Sequence, residues 1–80
     1  MKIEVIGTGC QKCKKLFELT NETVRELEIE ASVIYITDIN KIITMGIMQS
    51  PVVIIDDKPV LAGVLPDKNK LKEIIWQRIN

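Results

Sequence analysis

Histidine is absent from this sequence, and cysteine occurs only twice, at positions 10 and 13. One chain therefore cannot assemble an all-Cys/His tetrahedral zinc site, although two chains sharing four thiolates could. Two cysteines are also too few for a disulfide-stapled secreted scaffold. As a staple they would close only a tiny loop, where the entropic gain is smallest. An excess of one charge sign is missing as well. Eleven basic and eleven acidic residues cancel, so no global field recruits nucleic acid or an acidic membrane. No apolar run approaches the roughly 20 residues of a membrane span, and the opening "MKIEVIG" lacks the apolar core and small-residue cleavage site of a secretory signal. A cytoplasmic protein with neither membrane nor nucleic-acid partner is expected. Low-complexity tracts, internal repeats and linkers are lacking too. With 46% hydrophobic and 28% charged residues over 80 positions, the chain is expected to fold as a single domain, 1–80, around one modest core.

What is present is "GCQKCKKL" at positions 9 to 16, a Cys-X-X-Cys pair among three lysines. In a reducing compartment such a pair is more often catalytic or metal-binding than structural. Its setting follows from the patterns on either side. "KIEVI" is short, rich in β-branched residues and followed by "GTG", which predicts a strand ending in a turn. From Cys13 onward, Leu16, Phe17, Thr20, Val24 and Leu27 recur at helical spacing, with Lys14, Glu18, Glu22 and Arg25 mainly on the other sides. "ASVIYI" predicts a second strand, joined to the first by a parallel crossover. Asp38 caps a short helix through Ile39, Ile42, Ile43 and Met45, which Gly46 ends. "SPVVII" opens a third strand, and "DDKPVLAG" turns into a fourth that Pro59 assigns to a sheet edge. Leu71, Ile74, Ile75 and Ile79 form the apolar face of a closing helix.

Chemistry follows from this placement. Cys10 lies at the start of the first helix, where backbone N–H groups lack intrahelical partners and stabilise a thiolate. Lys12, Lys14 and Lys15 add positive charge nearby, but as flexible exposed side chains they contribute less than the fixed dipoles. Cys13 begins the inward stripe. One sulfur is therefore expected to be accessible and nucleophilic, the other shielded and able to resolve a mixed disulfide formed on the first. Glu4 alternates with Ile3 and Val5 and is expected either to reach solvent at a strand end or to act near the cysteines.

The order β-α-β-α-β-β-α, with Cys-X-X-Cys at the first strand-to-helix junction and a proline just before the third strand, resembles a minimal thioredoxin fold. More narrowly, "GTGCQKC", "GIMQSPVVIIDDKPVLAG" and the closing amphipathic helix resemble the small thioredoxin-like, glutaredoxin-like redox-active disulfide proteins of archaea and bacteria. The resemblance covers the whole chain. It implies an α/β fold with a four-stranded mixed sheet and helices on both faces, and a cis peptide at Ser50-Pro51 beside the cysteines. It implies an enzyme, a protein-disulfide oxidoreductase, with Cys10 as nucleophile and Cys13 as resolving thiol, without cofactor or metal. Gly9, Ser50 and Pro51 are the expected substrate-binding residues, Ser50 through backbone groups offered to an extended partner, while Lys12 and Glu4 are candidate modulators. Thioredoxins carry a buried aspartate where this chain has Glu4, one that moves protons to and from the resolving cysteine.

The partners implied are disulfide-containing proteins and an upstream reductase. Gly9 precedes Cys10, and Gln11-Lys12 separates the cysteines, where thioredoxins usually have Trp-Cys-Gly-Pro-Cys and glutaredoxins Cys-Pro-Tyr-Cys. A glutathione site is not supported, and a flavin-linked donor is the better expectation. The alternative is a small metal-binding or metal-transfer module using the Cys-X-X-Cys pair, across a dimer if four thiolates are needed. Copper and zinc chaperone domains also place that motif between a first strand and first helix, but in the order β-α-β-β-α-β. This chain ends in a helix instead and lacks a methionine two residues before Cys10. A third class, an interaction domain that has lost turnover, is disfavoured because both cysteines remain.

Overall fold

The first strand, β1 (Lys2–Ile6), is the centre from which the rest is arranged. Its β-branched residues suit a pleated surface buried on both faces, and Ile3, Glu4, Val5 and Ile6 are all buried. After it come α1 (Gln11–Leu27), β2 (Ser32–Ile36), α2 (Asn40–Thr44), β3 (Val52–Ile55), β4 (Lys58–Ala62) and α3 (Lys68–Ile79). The computed structural model describes residues 1–38, 40–44, 46 and 49–79, and only the backbone of Ile42. The expected apolar positions Ile39 and Met45, and the Ile42 side chain, lie outside the described residues.

The strands form one mixed sheet in the order β2-β1-β3-β4. β1 and β2 are parallel, with Ile6 opposite Ile36, and β1 and β3 are antiparallel, with Ile6 opposite Val52. β3 and β4 form a hairpin whose connecting residues, Asp56 and Asp57, both have positive φ, 48° and 69°. That is the backbone a two-residue turn matched to strand twist requires. Pro59 lies on the edge strand, opposite Ile54, next to an irregularity in the ladder between Val53 and Ile54. The α/β architecture and the element order agree with those expected from the sequence.

Side-chain alternation divides the sheet into two faces. Ile3, Val5, Val53 and Ile55 pack on one side with Leu16 of α1 and with Leu71 and Ile75 of α3. Ile6, Val52 and Ile54 form the second apolar cluster on the other side, together with Ile36 and Ala62. Each such aliphatic side chain removed from water contributes about 1.5–3 kcal/mol, so the larger cluster fixes α1 against the sheet. Two details differ from the periodicity. Thr23 is buried on α1, its hydroxyl donating to the Leu19 carbonyl at 2.7 Å, which removes the cost of hiding it. Ile79, expected on the inward face of α3, is 40% exposed because the last turn of α3 overruns the core.

Short α2 is entered as expected. The Asp38 carboxylate accepts from the Asn40 N–H at 3.0 Å, and the Gly46 N–H donates to the Ile43 carbonyl at 2.9 Å.

Candidate active site

Three chain segments converge at one end of the sheet. The register places the end of β1, which runs into Gly7–Cys10, opposite Val52, the residue after Pro51. Val52 in turn pairs with Ala62, the residue before Gly63. The Gly63 N–H donates to the Pro51 carbonyl at 2.8 Å, and the Lys12 ammonium donates to the Gly63 carbonyl at 3.3 Å. The Ser50-Pro51 peptide is cis; Pro51 is buried and Ser50 exposed. Gly63 has a φ of 74°, and a Cβ there would lie 2.8 Å from the Gln49 side chain. Its conformation favours glycine, and a side chain there would also displace that of Gln49.

Cys10 is the N-cap of α1. Its backbone is extended, and its sulfur accepts the Cys13 N–H at 3.3 Å, occupying one of the donors that a helix start leaves unpaired. Gly9 ahead of it has a φ of 86°, a left-handed conformation that turns the chain into the helix. Cys10 is exposed and Cys13 is completely buried; both are free thiols. The Cys10 thiol is drawn below its ordinary pKa, first by hydrogen bonding from the Cys13 side chain and then by the Cys13 N–H; Thr8 and the Lys12 N–H act in the same direction. The lysine ammonium groups are not among these causes, in line with the small role expected for them. Lys12 acts on the sulfur through its main chain while its charged end reaches Gly63.

Cys13 sits against β1. A Cβ on Gly7 would stand 2.6 Å from the Cys13 sulfur and 3.0 Å from the Tyr35 hydroxyl. Gly7 is thus the gap in β1's continuation into which both groups fit. The Gly9 N–H donates to the Tyr35 hydroxyl at 2.9 Å, and the Tyr35 ring meets Phe17 edge-on, with centroids 5.4 Å apart. The Tyr35 pKa is raised, first by burial away from water and also by charge on Cys13 and Cys10, while the Gly9 N–H opposes the shift.

Glu4 is brought to a different place. It is 2% exposed, so it does not reach solvent. Alternation along β1 points it away from Ile3 and Val5, to the side where Lys41 of α2 pairs with it and Lys2 stands 3.6 Å away. The sheet therefore separates its carboxylate from the α1 face that holds Cys13.

Thr8, Gly7 and Tyr35 belong to the site although the sequence patterns did not single them out. Tyr35 carried one legible signal: it is the penultimate residue of a strand parallel to β1, and the carboxyl ends of parallel strands lie side by side. Among the described residues, no group of three or more His, Cys, Asp or Glu side chains is placed to hold a metal ion.

The arrangement, an accessible activated thiol beside a shielded one at a strand-to-helix junction, is suited to thiol-disulfide exchange. The thioredoxin domain family matches residues 1–76. A thioredoxin of Methanocaldococcus jannaschii is 37% identical over 71 residues, covering 89% of this chain and 81% of the relative. A thioredoxin of Methanothermobacter thermautotrophicus is 32% identical over 75 residues, covering 94% and 97% respectively. The chain thus belongs to the thioredoxin domain family of thiol-disulfide oxidoreductases.

Proposed function

We propose that this oxidoreductase reduces disulfides in proteins through a Cys10-Cys13 dithiol/disulfide cycle. The observation that carries this reading is the asymmetry of the two sulfurs: Cys10 is exposed at the helix N-terminus and drawn toward its thiolate, while Cys13 is buried three residues on. Cys10 thiolate attacks a sulfur of the partner's disulfide, forming a mixed disulfide and releasing the other partner sulfur as a thiolate that takes up a proton. Cys13, deprotonated, then attacks the Cys10 sulfur. The Cys10-Cys13 bond forms, the bond to the partner breaks, and the second partner thiolate takes up a proton. The partner's disulfide has gained two electrons and the Cys10-Cys13 pair has lost them.

Gly9, Ser50 and Pro51 bind the partner, Ser50, an exposed residue, through its backbone groups, while Pro51 has no competing N–H. A flavin-linked reductase returns the two electrons, and the setting is cytoplasmic. A trapping experiment tests the division of labour. Cys13→Ser retains partner proteins on Cys10 as mixed disulfides, and Cys10→Ser retains few and loses turnover with insulin as substrate. Equal trapping by the two variants refutes the assignment.

A further inference from the structure

The Tyr35 hydroxyl has one proton and two lone pairs. One lone pair is engaged by the Gly9 N–H at 2.9 Å, which leaves its own proton free to be directed elsewhere. The hydroxyl and the Cys13 sulfur both lie within 3.0 Å of the single point where a Gly7 side chain would begin. The ring is held by its edge-on contact with Phe17, so the hydroxyl's position is set by packing rather than by the cysteines. We propose that Tyr35 is a positioning residue for the second half of the cycle: its hydroxyl donates a hydrogen bond to the Cys13 sulfur and stabilises the thiolate that resolves the mixed disulfide. The proposal rests on the dithiol cycle described above.

The need for such a donor follows from burial. Cys13 is completely buried, so water does not reach its sulfur, and the charge it carries when it attacks must be met by a donor from the protein itself. Cys10 cannot fill this role at resolution, because its sulfur is then covalently bound to the partner and carries no proton. On the same side of the sheet, β1 offers Ile3 and Val5 and its continuation Gly7, β3 offers Val53 and Ile55, and α3 offers Leu71 and Ile75. Glu4, with its lysine partners, lies on the opposite side. Among the described residues, the titratable groups facing the Tyr35 hydroxyl are therefore Cys10 and Cys13. Tyr35 keeps its proton throughout, since burial and the neighbouring sulfurs both oppose its ionisation. It polarises the attack without acting as the base, and the Cys13 proton passes to solvent. Bond making and breaking are as written for the cycle.

The probe is 5,5′-dithiobis(2-nitrobenzoic acid), whose coloured thiol is released once when Cys10 attacks and again when Cys13 resolves. In Tyr35→Phe, which keeps the ring, the pH midpoint of the second release moves upward and the rate at neutral pH falls roughly tenfold, the size of one hydrogen bond to a charged group. The first release changes less than about twofold by the same measure, because the donors to Cys10 come mainly from Cys13. Tyr35 is the single tyrosine of the chain, so incorporation of 3-fluorotyrosine alters this hydroxyl alone. That stronger donor moves the midpoint of the second release downward with the ring and hydroxyl retained. A midpoint unmoved in the fluorinated protein, or unmoved in folded Tyr35→Phe, overturns the role of Tyr35 while leaving the cycle standing. A parent protein without a Cys13-dependent second release overturns the cycle and the role of Tyr35 together.

Discussion

At the scale of single residues, the difference between Cys10 and Cys13 is one of position along a helix. Cys10 caps it and receives N–H groups; Cys13, one turn further in, is carried beneath the surface. The pH dependence follows from the sign of the Cys10 shift. A pKa held below its ordinary value means that the thiolate persists to lower pH, so alkylation of reduced protein by iodoacetamide has its midpoint on the acid side of a free cysteine. The same inequality bears on folding. A group whose folded pKa is depressed adds stability above its unfolded pKa and loses it as pH falls through the folded value. Reduced protein therefore gains stability relative to Cys10→Ser as pH rises across that window, as urea denaturation at a series of pH values measures. Replacing Lys12, Lys14 and Lys15 with glutamine moves the alkylation midpoint far less than does Cys13→Ala, because Cys13 supplies the largest hydrogen bond.

The element that matters most is the first turn of α1, and its position depends on two glycines for different reasons. Gly9 supplies a left-handed φ in open space, whereas Gly7 supplies room, its missing Cβ being replaced by the Cys13 side chain. Gly46, at the end of α2, resembles Gly9 in having a φ of 78° with nothing near its absent side chain. Gly46→Ala is therefore expected to lose about 1–2 kcal/mol from backbone strain alone, with disulfide reduction unchanged. Gly7→Ala is expected to lose about 1–3 kcal/mol through overpacking and, in addition, to slow disulfide reduction, because α1 must shift away from β1 and take Cys13 with it. Denaturation midpoints and insulin turnover on the two variants separate strain from displacement. On α1 the inward stripe of Cys13, Leu16 and Thr20 was legible as helical period. Thr23 was not, because its burial depends on a hydroxyl satisfied within the helix.

On the scale of the whole molecule, the sheet is a partition. One face carries the thiols and the larger core; the other carries Glu4 and α2. Glu4→Gln should leave insulin turnover within about twofold of the parent, since among the described residues no hydrogen bond joins Glu4 to the cysteines across the sheet. Lys41→Met should cost more stability than Glu4→Gln, about 1–3 kcal/mol, because it strips a partner from a carboxylate that is 2% exposed. Thermal unfolding together with turnover tests both, and a large loss of activity in folded Glu4→Gln would restore a proton-transfer role. α1 and α3 are further clasped by Lys68 and Lys72 on Glu22 and Glu26. These pairs are half-exposed and subject to screening, so the apolar contact beneath them remains the stronger link.

The sequence by itself determined the elements, because strand alternation, helical period, capping and turn chemistry act between residues a few positions apart. It likewise placed Cys10 at a helix start and Cys13 on an inward stripe, both local facts. Only the tertiary structure decided that β1 is central between β2 and β3, that Glu4 is buried away from the thiols, and that Tyr35 stands beside them. These outcomes depend on pairings between distant segments, Gly9 with Tyr35 across 26 residues and Lys41 with Glu4 across 37. Such pairings are set by which faces the packed sheet brings together, and no local pattern encodes that choice.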